Sequence, residues 1–329
     1  MLIAFNILSI PTLVVIKDGK IAGRIAAIRC NRHNDITGEK RLRFTRFDVI
    51  NDYEVFKSLM DSVVSYAKEL GMDIIHGPLG YNDLDREGVL TYGYDQPGNF
   101  ETLYNYPYYC EFLERYGFIP DAVWKEYKIF IPEKVDERIN RVAASVMERK
   151  KLHYYNIKSS SELINRYGKE IFKLIDEAYG ELYGVIPLTE KEVDNIISQF
   201  KLILNKRYIS LVLDEQEKLI GFGLAFSSMS EAVRKSCGRL FPFGVFRILN
   251  AVKNPKIIDL ALIAVKKEYQ NFGVTGIIMK QIIQNAIEDG ILYAESNPEL
   301  VNNLAMQQQW KNFERVEHHK ARAVYTLTI

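Results

Sequence analysis

Gln270, Gly273 and Gly276 stand three residues apart in the stretch VKKEYQNFGVTGIIMKQ, Val265 to Gln281. It follows the apolar run IIDLALIAV directly and precedes a segment with helical apolar period. A strand, a turn of small residues and a helix start, in that order, suit an anion. The first N–H groups of a helix lack intrahelical acceptors and carry partial positive charge. Glycine lets a phosphate approach the backbone closely, and Gln270 adds side-chain donors.

Other chemistries find less support. The cysteines, Cys30, Cys110 and Cys237, are far apart and form no CxxC pair, so neither a zinc site nor a disulfide framework is expected. A reduced, cytoplasmic setting fits that usage. No GxGxxG or GxxxxGK[ST] is present. The net charge of +1 gives no global reason to expect nucleic acid or a membrane surface as partner. The apolar N-terminal segment has no basic residue before Lys17 and no small-residue cleavage site, so no signal peptide is expected. No apolar run reaches the length of a membrane span, so stable insertion is not expected. His76, His318 and His319 belong to no recognisable triad, and His318 and His319 read as a solvent-facing polar turn.

The elements that must position the turn are repeated along the chain. IKDGKIAGRIAA resembles LDEQEKLIGFGLA, with Lys20 and Lys218, Gly23 and Gly221, and Ala27 and Ala225 each 198 residues apart. AKELGMDII resembles AIEDGILYA at a separation of 219, which pairs Gly71 with Gly290. Near the end of each half the separation returns to 198, pairing Asn105 with Asn303, Phe112 with Trp310 and Tyr127 with Tyr325. Two copies of one unit, each with its own insertion, explain both shifts. The insertions are Gly77–Phe100 in the first half and Ser228–Lys256 in the second.

Each copy reads as a hairpin, a third strand, a long amphipathic helix ending on a C′ glycine (Gly71 or Gly290), a strand, a helix and a closing strand. The closing strands are EYKIFIP and RAVYTLTI. The second copy adds a front end of one strand and helices in SSSELINRYGKEIFKLIDEAYG and TEKEVDNIISQF; the first copy has no counterpart. A charged helical segment over 134–151 reads as a linker.

This order resembles the GNAT acyltransferases, whose signature Q/R-x-x-G-x-G/A opens the helix after the coenzyme strand. Gln270, Gly273 and Thr275 take those positions, followed by Gly276. The family's later N-x-x-A-x-x-x-Y falls on Asn303, Met306 and Trp310, so Trp replaces the Tyr that protonates the leaving thiolate in many relatives. The resemblance implies an α/β mixed-sheet fold with two GNAT-like domains in tandem: a degenerate, N-terminally shortened copy over 1–133, a linker helix over 134–151 and a full copy over 152–329 with its insertion at 228–256.

The resemblance also implies acetyl-CoA or another acyl-CoA as co-substrate and no metal. Coenzyme contacts are expected at Ile263, Val265, Gln270, Phe272, Gly273, Val274, Thr275, Gly276 and Asn303, with the Ile263 and Val265 amides near the acyl carbonyl. It implies N-acyl transfer to the amine of a small molecule or amino acid. A non-catalytic acyl-CoA-binding module and an aminoacyl transferase of the peptide-bridge-forming type are the alternatives.

Transfer to an amine needs a proton acceptor and oxyanion donors but no protein nucleophile. Asp259, Glu295 and Glu299 are the candidate bases, Glu295 preferred because it closes ILYAES beside the expected splay. Tyr325 is the candidate acid. In the first half, Asp48, Asp52 and Glu54 crowd the corresponding helix start, where they satisfy the helix themselves and repel a pyrophosphate. One coenzyme site is therefore expected, in the second half. The first insertion carries Asp83, Asp85, Glu87 and Asp95, and reads equally as a tyrosine-held loop or a substrate contact. The second mixes phenylalanines with basic residues and reads as a lid or substrate wall, with a helical cap and a membrane-surface helix as alternatives.

Overall fold

The computed structural model describes every residue except Met1, Leu8, Ser9, Asp83 and Glu181, so the Asp83 expectation lies outside the described residues. The first half runs β1 (Leu2–Ile7), β2 (Ile10–Lys17), β3 (Lys20–Ile28), α1 (Asn31–Thr37), β4 (Arg41–Val49), α2 (Tyr53–Glu69) and β5 (Ile74–Gly77). β6 (Val89–Tyr92), α3 (Tyr108–Tyr116) and β7 (Ile119–Phe130) follow. Next come α4 (Glu137–Lys150), β8 (His153–Tyr154), α5 (Ser160–Tyr179), α6 (Glu190–Phe200), β9 (Ile209–Leu213) and β10 (Leu219–Ser227). The chain ends with α7 (Ser230–Lys235), α8 (Gly244–Lys253), β11 (Ile257–Val265), α9 (Val274–Glu288), β12 (Tyr293–Glu295), β13 (Glu299–Leu300), α10 (Leu304–Gln309) and β14 (Val316–Thr328).

Local chemistry sets many of these boundaries. Asp18 and Gly19 take positive φ, as a tight β2–β3 hairpin requires. Ser159 caps α5, and Thr189 with Glu192 forms a complete capping box on α6. Gly71 and Gly290 follow the ends of α2 and α9 with φ of 67° and 66°, the left-handed conformation expected of C′ glycines.

Two compact units emerge: one takes Met1–Lys125, Tyr183–Ile186 and His319–Ile329, the other Glu126–Leu182 and Pro187–His318. In the first unit β1 to β4 pair antiparallel in sequence order, β4 pairs parallel with β5, and β14 closes antiparallel on β5 with Tyr325 opposite Gly77. In the second, β8 to β11 pair antiparallel, β11 pairs parallel with β12, and the end of β7 closes antiparallel on β12 with Phe130 opposite Tyr293. Both units thus repeat one pattern: β1 stands where β8 does, so the first copy has the opening strand the sequence reading denied it, though not the helices, and the closing strands are exchanged. The sequence reading gives each half its own last strand. The structure gives the chain's last strand to the first unit and the end of β7 to the second. Each strand has the same alternating character, so periodicity does not say which sheet it joins.

The first unit has one apolar core, built from Ile25, Phe44, Phe56, Leu59, Val63, Ile75, Leu113 and their neighbours. The second has two, one on each side of its sheet. Tyr208, Val212, Ile220 and Ile258 pack with α9 and α4, while Leu211, Leu213 and Phe222 pack with α5. The alternation of Leu211, Val212 and Leu213 between the two is the period-2 rule of a strand covered on both faces. The segment read as a linker is α4, and Ala143 and Val146 bury it in the second unit's core. His318 and His319 lie in β14 rather than a polar turn, and His319 is buried. In the first insertion, Asp85 accepts from the backbone N–H groups of Tyr81 and Asn82, Asn105 clasps the backbone of Leu90, and β6 pairs with β14. It is a self-tied loop of the first unit.

Asp52 caps α2 by accepting from the N–H groups of Glu54 and Val55, and it pairs with Lys17. Asp52→Ala leaves two helix N–H groups without that acceptor and is expected to lower stability, read as a fall in the urea midpoint; an unchanged midpoint contradicts the capping account.

Candidate functional site

The second unit opens along one strand edge. β11 pairs with β12 only at Ile257–Tyr293, Ile258–Ala294 and Asp259–Glu295. Beyond Asp259 it continues to Val265 on β10 alone, with Gly223 opposite Ile263 and Gly221 opposite Val265. The register slips between Leu224 and Ala225, so Ala261 is the extra residue of a bulge. The departure leaves Leu260–Val265 as a strand edge inside the unit. Its alternate carbonyls are dressed by side chains: Asn297 Nδ2 donates to Ala261 O at 3.0 Å, the Tyr179 hydroxyl to Ile263 O at 2.9 Å and Gln270 Nε2 to Val265 O at 3.2 Å. The Ile263 N–H also donates to the Tyr179 hydroxyl, at 3.1 Å. These i, i+2, i+4 positions face the same way because backbone groups alternate along a strand.

The edge runs into the helix start. A short 3₁₀ turn over Lys267–Phe272 leads to Gly273, whose φ of 81° favours glycine, and α9 begins at Val274. Ile277 N–H to Gly273 O, at 3.2 Å, is the first intrahelical bond, so the N–H groups of Val274, Thr275 and Gly276 precede the ladder. The first turn of α9 has no acidic residue and no side-chain cap. A Cβ added at Gly276 meets no atom within 4 Å. Phe272 is exposed, with the Lys150 ammonium 3.6 Å from its ring centre.

The structure therefore gathers Ile263, Val265, Gln270, Phe272, Gly273, Val274, Thr275 and Gly276 into one continuous edge and helix start. Asn303 does different work: it caps α10, accepting from Met306 N–H at 3.3 Å. Tyr325 lies in the core of the first unit, 2% exposed, its hydroxyl 3.1 Å from Glu114 Oε1. Burial and its acidic and thiol neighbours push that phenol well above the usual range. Tyr179 and Asn297 escaped the sequence reading. Nothing in a helix-end Tyr or a loop Asn marks it as the partner of a strand edge far away in sequence.

Carboxyls flank the point of departure. Asp259 and Glu295 are register partners on neighbouring strands, and both are buried. Glu299, also buried, accepts from Trp310 Nε1–H at 2.8 and 3.0 Å. Burial pushes the Glu299 carboxyl up to about 7, against the opposing effect of hydrogen bonds from Trp310 and Ser296. Trp310 at the family's Tyr position is thus an indole donor fixed on a carboxyl.

The first unit makes the same departure and fills it. β4 pairs with β5 at Arg41–Ile74, Leu42–Ile75 and Arg43–His76 and then diverges. At the far end of β4 the Val49 N–H donates to the Tyr109 hydroxyl at 3.1 Å and the Tyr108 hydroxyl donates to Val49 O at 2.8 Å. Its helix start is occupied by Asp52. Where the second unit has the carboxyls Asp259 and Glu295, this one has Arg43 and His76. His76 is not isolated: it meets Asp121 Oδ2 at 3.2 Å and the Tyr183 hydroxyl, while Tyr183 donates to Asp121 at 2.6 Å and Arg41 reaches the same carboxylate at 3.2 Å. With Arg43 donating to Gly184 O, these contacts fix Tyr183–Ile186 in the first unit.

No family model matches the chain. Among curated proteins, Protein YghO of Escherichia coli K12 is 24% identical over 280 residues, 83% of this chain and 69% of that protein. Among solved structures, a glucosamine N-acetyltransferase region of the GNAT type in a fungal multi-domain beta-N-acetylglucosaminidase aligns with 97% of this chain at a TM-score of 0.57 and 14% identity. The chain spans 33% of that protein's length. A tandem GNAT protein from the clavulanic acid biosynthesis pathway aligns with 97% of this chain and 82% of its own at a TM-score of 0.51 and 10% identity. A GNAT from Sphaerobacter thermophilus aligns with 96% and 80% at 0.52 and 7%. The chain has the mixed α/β GNAT fold in its tandem arrangement.

The Glu299 carboxyl supplies a pH test. Its folded pKa lies above the ordinary 4.5, so the native chain holds a proton that the unfolded chain has released. Its contribution therefore makes stability fall as pH rises from about 4.5 to about 7. Glu299→Gln removes that ionisation. Its melting temperature relative to wild type is expected to rise between pH 5 and pH 8 by about 2–4 °C or more; a constant or shrinking difference contradicts the raised pKa.

Proposed function

We propose that the chain is an acyl-CoA-dependent N-acyltransferase, moving an acyl group, acetyl in the simplest case, to the primary amine of a small molecule or amino acid. The observation that carries this reading is the open edge Leu260–Val265 leading straight into the Gly273 turn and the free N–H groups of α9. An extended amide chain ending in a pyrophosphate matches both parts: its amides pair with a strand edge, and its phosphates take a helix N-terminus. The fold likeness to GNAT acetyltransferases agrees. So does the first unit, whose equivalent edge and helix start are filled by its own side chains. In this reading 1–133 and 152–329 are two copies of one unit, of which the second holds the coenzyme.

The residues divide the work as follows. Val274, Thr275 and Gly276 present N–H groups to the pyrophosphate. The Ile263 N–H exchanges the Tyr179 hydroxyl for the ligand and polarises the thioester carbonyl as negative charge develops on oxygen. The acceptor nitrogen forms the new C–N bond, the C–S bond breaks, and the ammonium proton passes to a carboxylate, for which Glu295 at the point of departure is the assigned base. Trp310 has no proton to give the thiolate. A thiolate whose conjugate acid has a pKa of about 8.5 leaves without one. Fixation of Trp310 on Glu299 favours a second reading, a non-catalytic acyl-CoA-binding module. Release of free thiol from acetyl-CoA across a set of amines separates the two.

Gly276→Glu adds a carboxylate where the backbone has room and the helix gains propensity, so the fold is expected to hold. Acetyl-CoA affinity by calorimetry is expected to fall about tenfold or more through repulsion of the pyrophosphate; unchanged affinity removes the site. Tyr179→Phe deletes the hydroxyl that competes for Ile263. It is expected to tighten acetyl-CoA by about two- to tenfold, the value of one net hydrogen bond, whereas weaker binding would make Tyr179 a ligand of the coenzyme.

A further inference from the structure

The insertion Ser228–Lys256 forms a helical hairpin, α7 and α8, and its aromatic residues do not cover a cleft. Leu240 is 53% exposed, Phe241 79%, Phe243 67%, Phe246 67% and Leu249 56%. The lid reading of the sequence expects these side chains against a cleft; here they face solvent.

The hairpin is nevertheless built to hold that shape. Arg247 Nη1 donates to Lys235 O at 2.7 Å and ties α8 to α7. Gly244 begins α8 where a Cβ would lie 1.9 Å from the Arg239 carbonyl oxygen, so the turn between the helices is closed tightly on itself. Asn205 Nδ2 and Ser227 Oγ both donate to Val252 O, at 3.1 and 2.9 Å, and anchor the far end of α8 to β10. Along α8 the stripe Val245, Ile248 and Val252 is half-buried while Phe246, Leu249 and Lys253 stand in solvent. The helix therefore satisfies its own packing with one stripe and presents Phe246 and Leu249 outward.

Within the insertion the charge is almost all of one sign. Arg234, Lys235, Arg239, Arg247, Lys253 and Lys256 are all exposed, against the single acid Glu231, which is paired with Lys235 at 2.7 Å. Soluble proteins seldom leave five large apolar side chains exposed within ten residues without a partner. An apolar tip ringed by cations matches the two layers of an anionic lipid surface: acyl boundary below, phosphate charge above. No described helix is long and apolar enough to cross a membrane, so such contact is lateral.

We propose that this hairpin docks the protein on an anionic bilayer surface, with Leu240, Phe241, Phe243, Phe246 and Leu249 entering the headgroup–acyl boundary and the surrounding Arg and Lys holding lipid phosphates. This stands independently of the coenzyme site. The test is sedimentation of the full chain with phosphatidylcholine vesicles, with and without phosphatidylglycerol. The wild-type chain is expected to bind the phosphatidylglycerol vesicles, less so as salt is raised.

Phe241→Ser with Phe243→Ser is expected to weaken binding by about tenfold or more, with an unchanged melting temperature because both rings are exposed. Arg234→Gln with Lys235→Gln and Arg239→Gln is expected to remove the preference for phosphatidylglycerol. Absence of binding overturns the proposal, as does equal binding by the double Phe variant. So does a wild-type dimer in size-exclusion chromatography that the Phe variant dissociates while vesicles fail to bind, which would make the face a protein interface.

Discussion

Three residue pairs hold β11 to β12, and the rest of the second unit's chemistry depends on their stopping at Asp259 and Glu295. A parallel pair that continued would satisfy every backbone group of β11 and leave no edge. Because it stops, the amides and carbonyls beyond Asp259 need other partners, and an unpaired buried polar group is costly. The protein supplies Asn297, Tyr179 and Gln270, three separate side chains. The bulge at Ala261 and the left-handed turn at Gly273 bring the end of that edge to the start of α9.

The first unit shows what happens when the same departure is filled from within. Tyr108 and Tyr109 take the backbone of Val49, Asp52 takes the first N–H groups of α2, and Lys17 balances Asp52. Each is a local substitution on a shared framework, and together they make a self-capped helix start where α9 has an uncapped one. The paired residues at the departure change sign as well, from Asp259 and Glu295 to Arg43 and His76. Burial pushes the His76 imidazole down, against the opposing effect of Asp121. The group of His76, Asp121, Tyr183 and Arg41 is then a fastening for Tyr183–Ile186, with no exposed nucleophile among its members.

The sequence by itself determined the repeated unit, most of the order of its elements and the uncapped, acid-free helix start after Gly273. These rest on short-range rules. A hairpin needs positive φ at Asp18 and Gly19, α2 and α9 need a glycine after their last turn, and a helix start with glycine and no acid differs visibly from one with Asp52 and Glu54. The acidic helix start in the first half was legible for that reason. Tertiary structure alone decided the rest. Tyr127 and Tyr325 occupy matching sequence positions, yet each strand closes the other copy's unit, because an alternating strand carries no record of its neighbour. Asn303 matched a motif by spacing and became a helix cap. Tyr179 and Asn297 matched nothing and dress the open edge. The exposure of Phe241, Phe243 and Phe246 was also beyond the sequence, since an apolar residue reads the same whether it faces a core, a ligand or water. Local backbone preference is written in neighbouring residues, whereas strand partnership and burial depend on chain that is distant in sequence and adjacent only after folding.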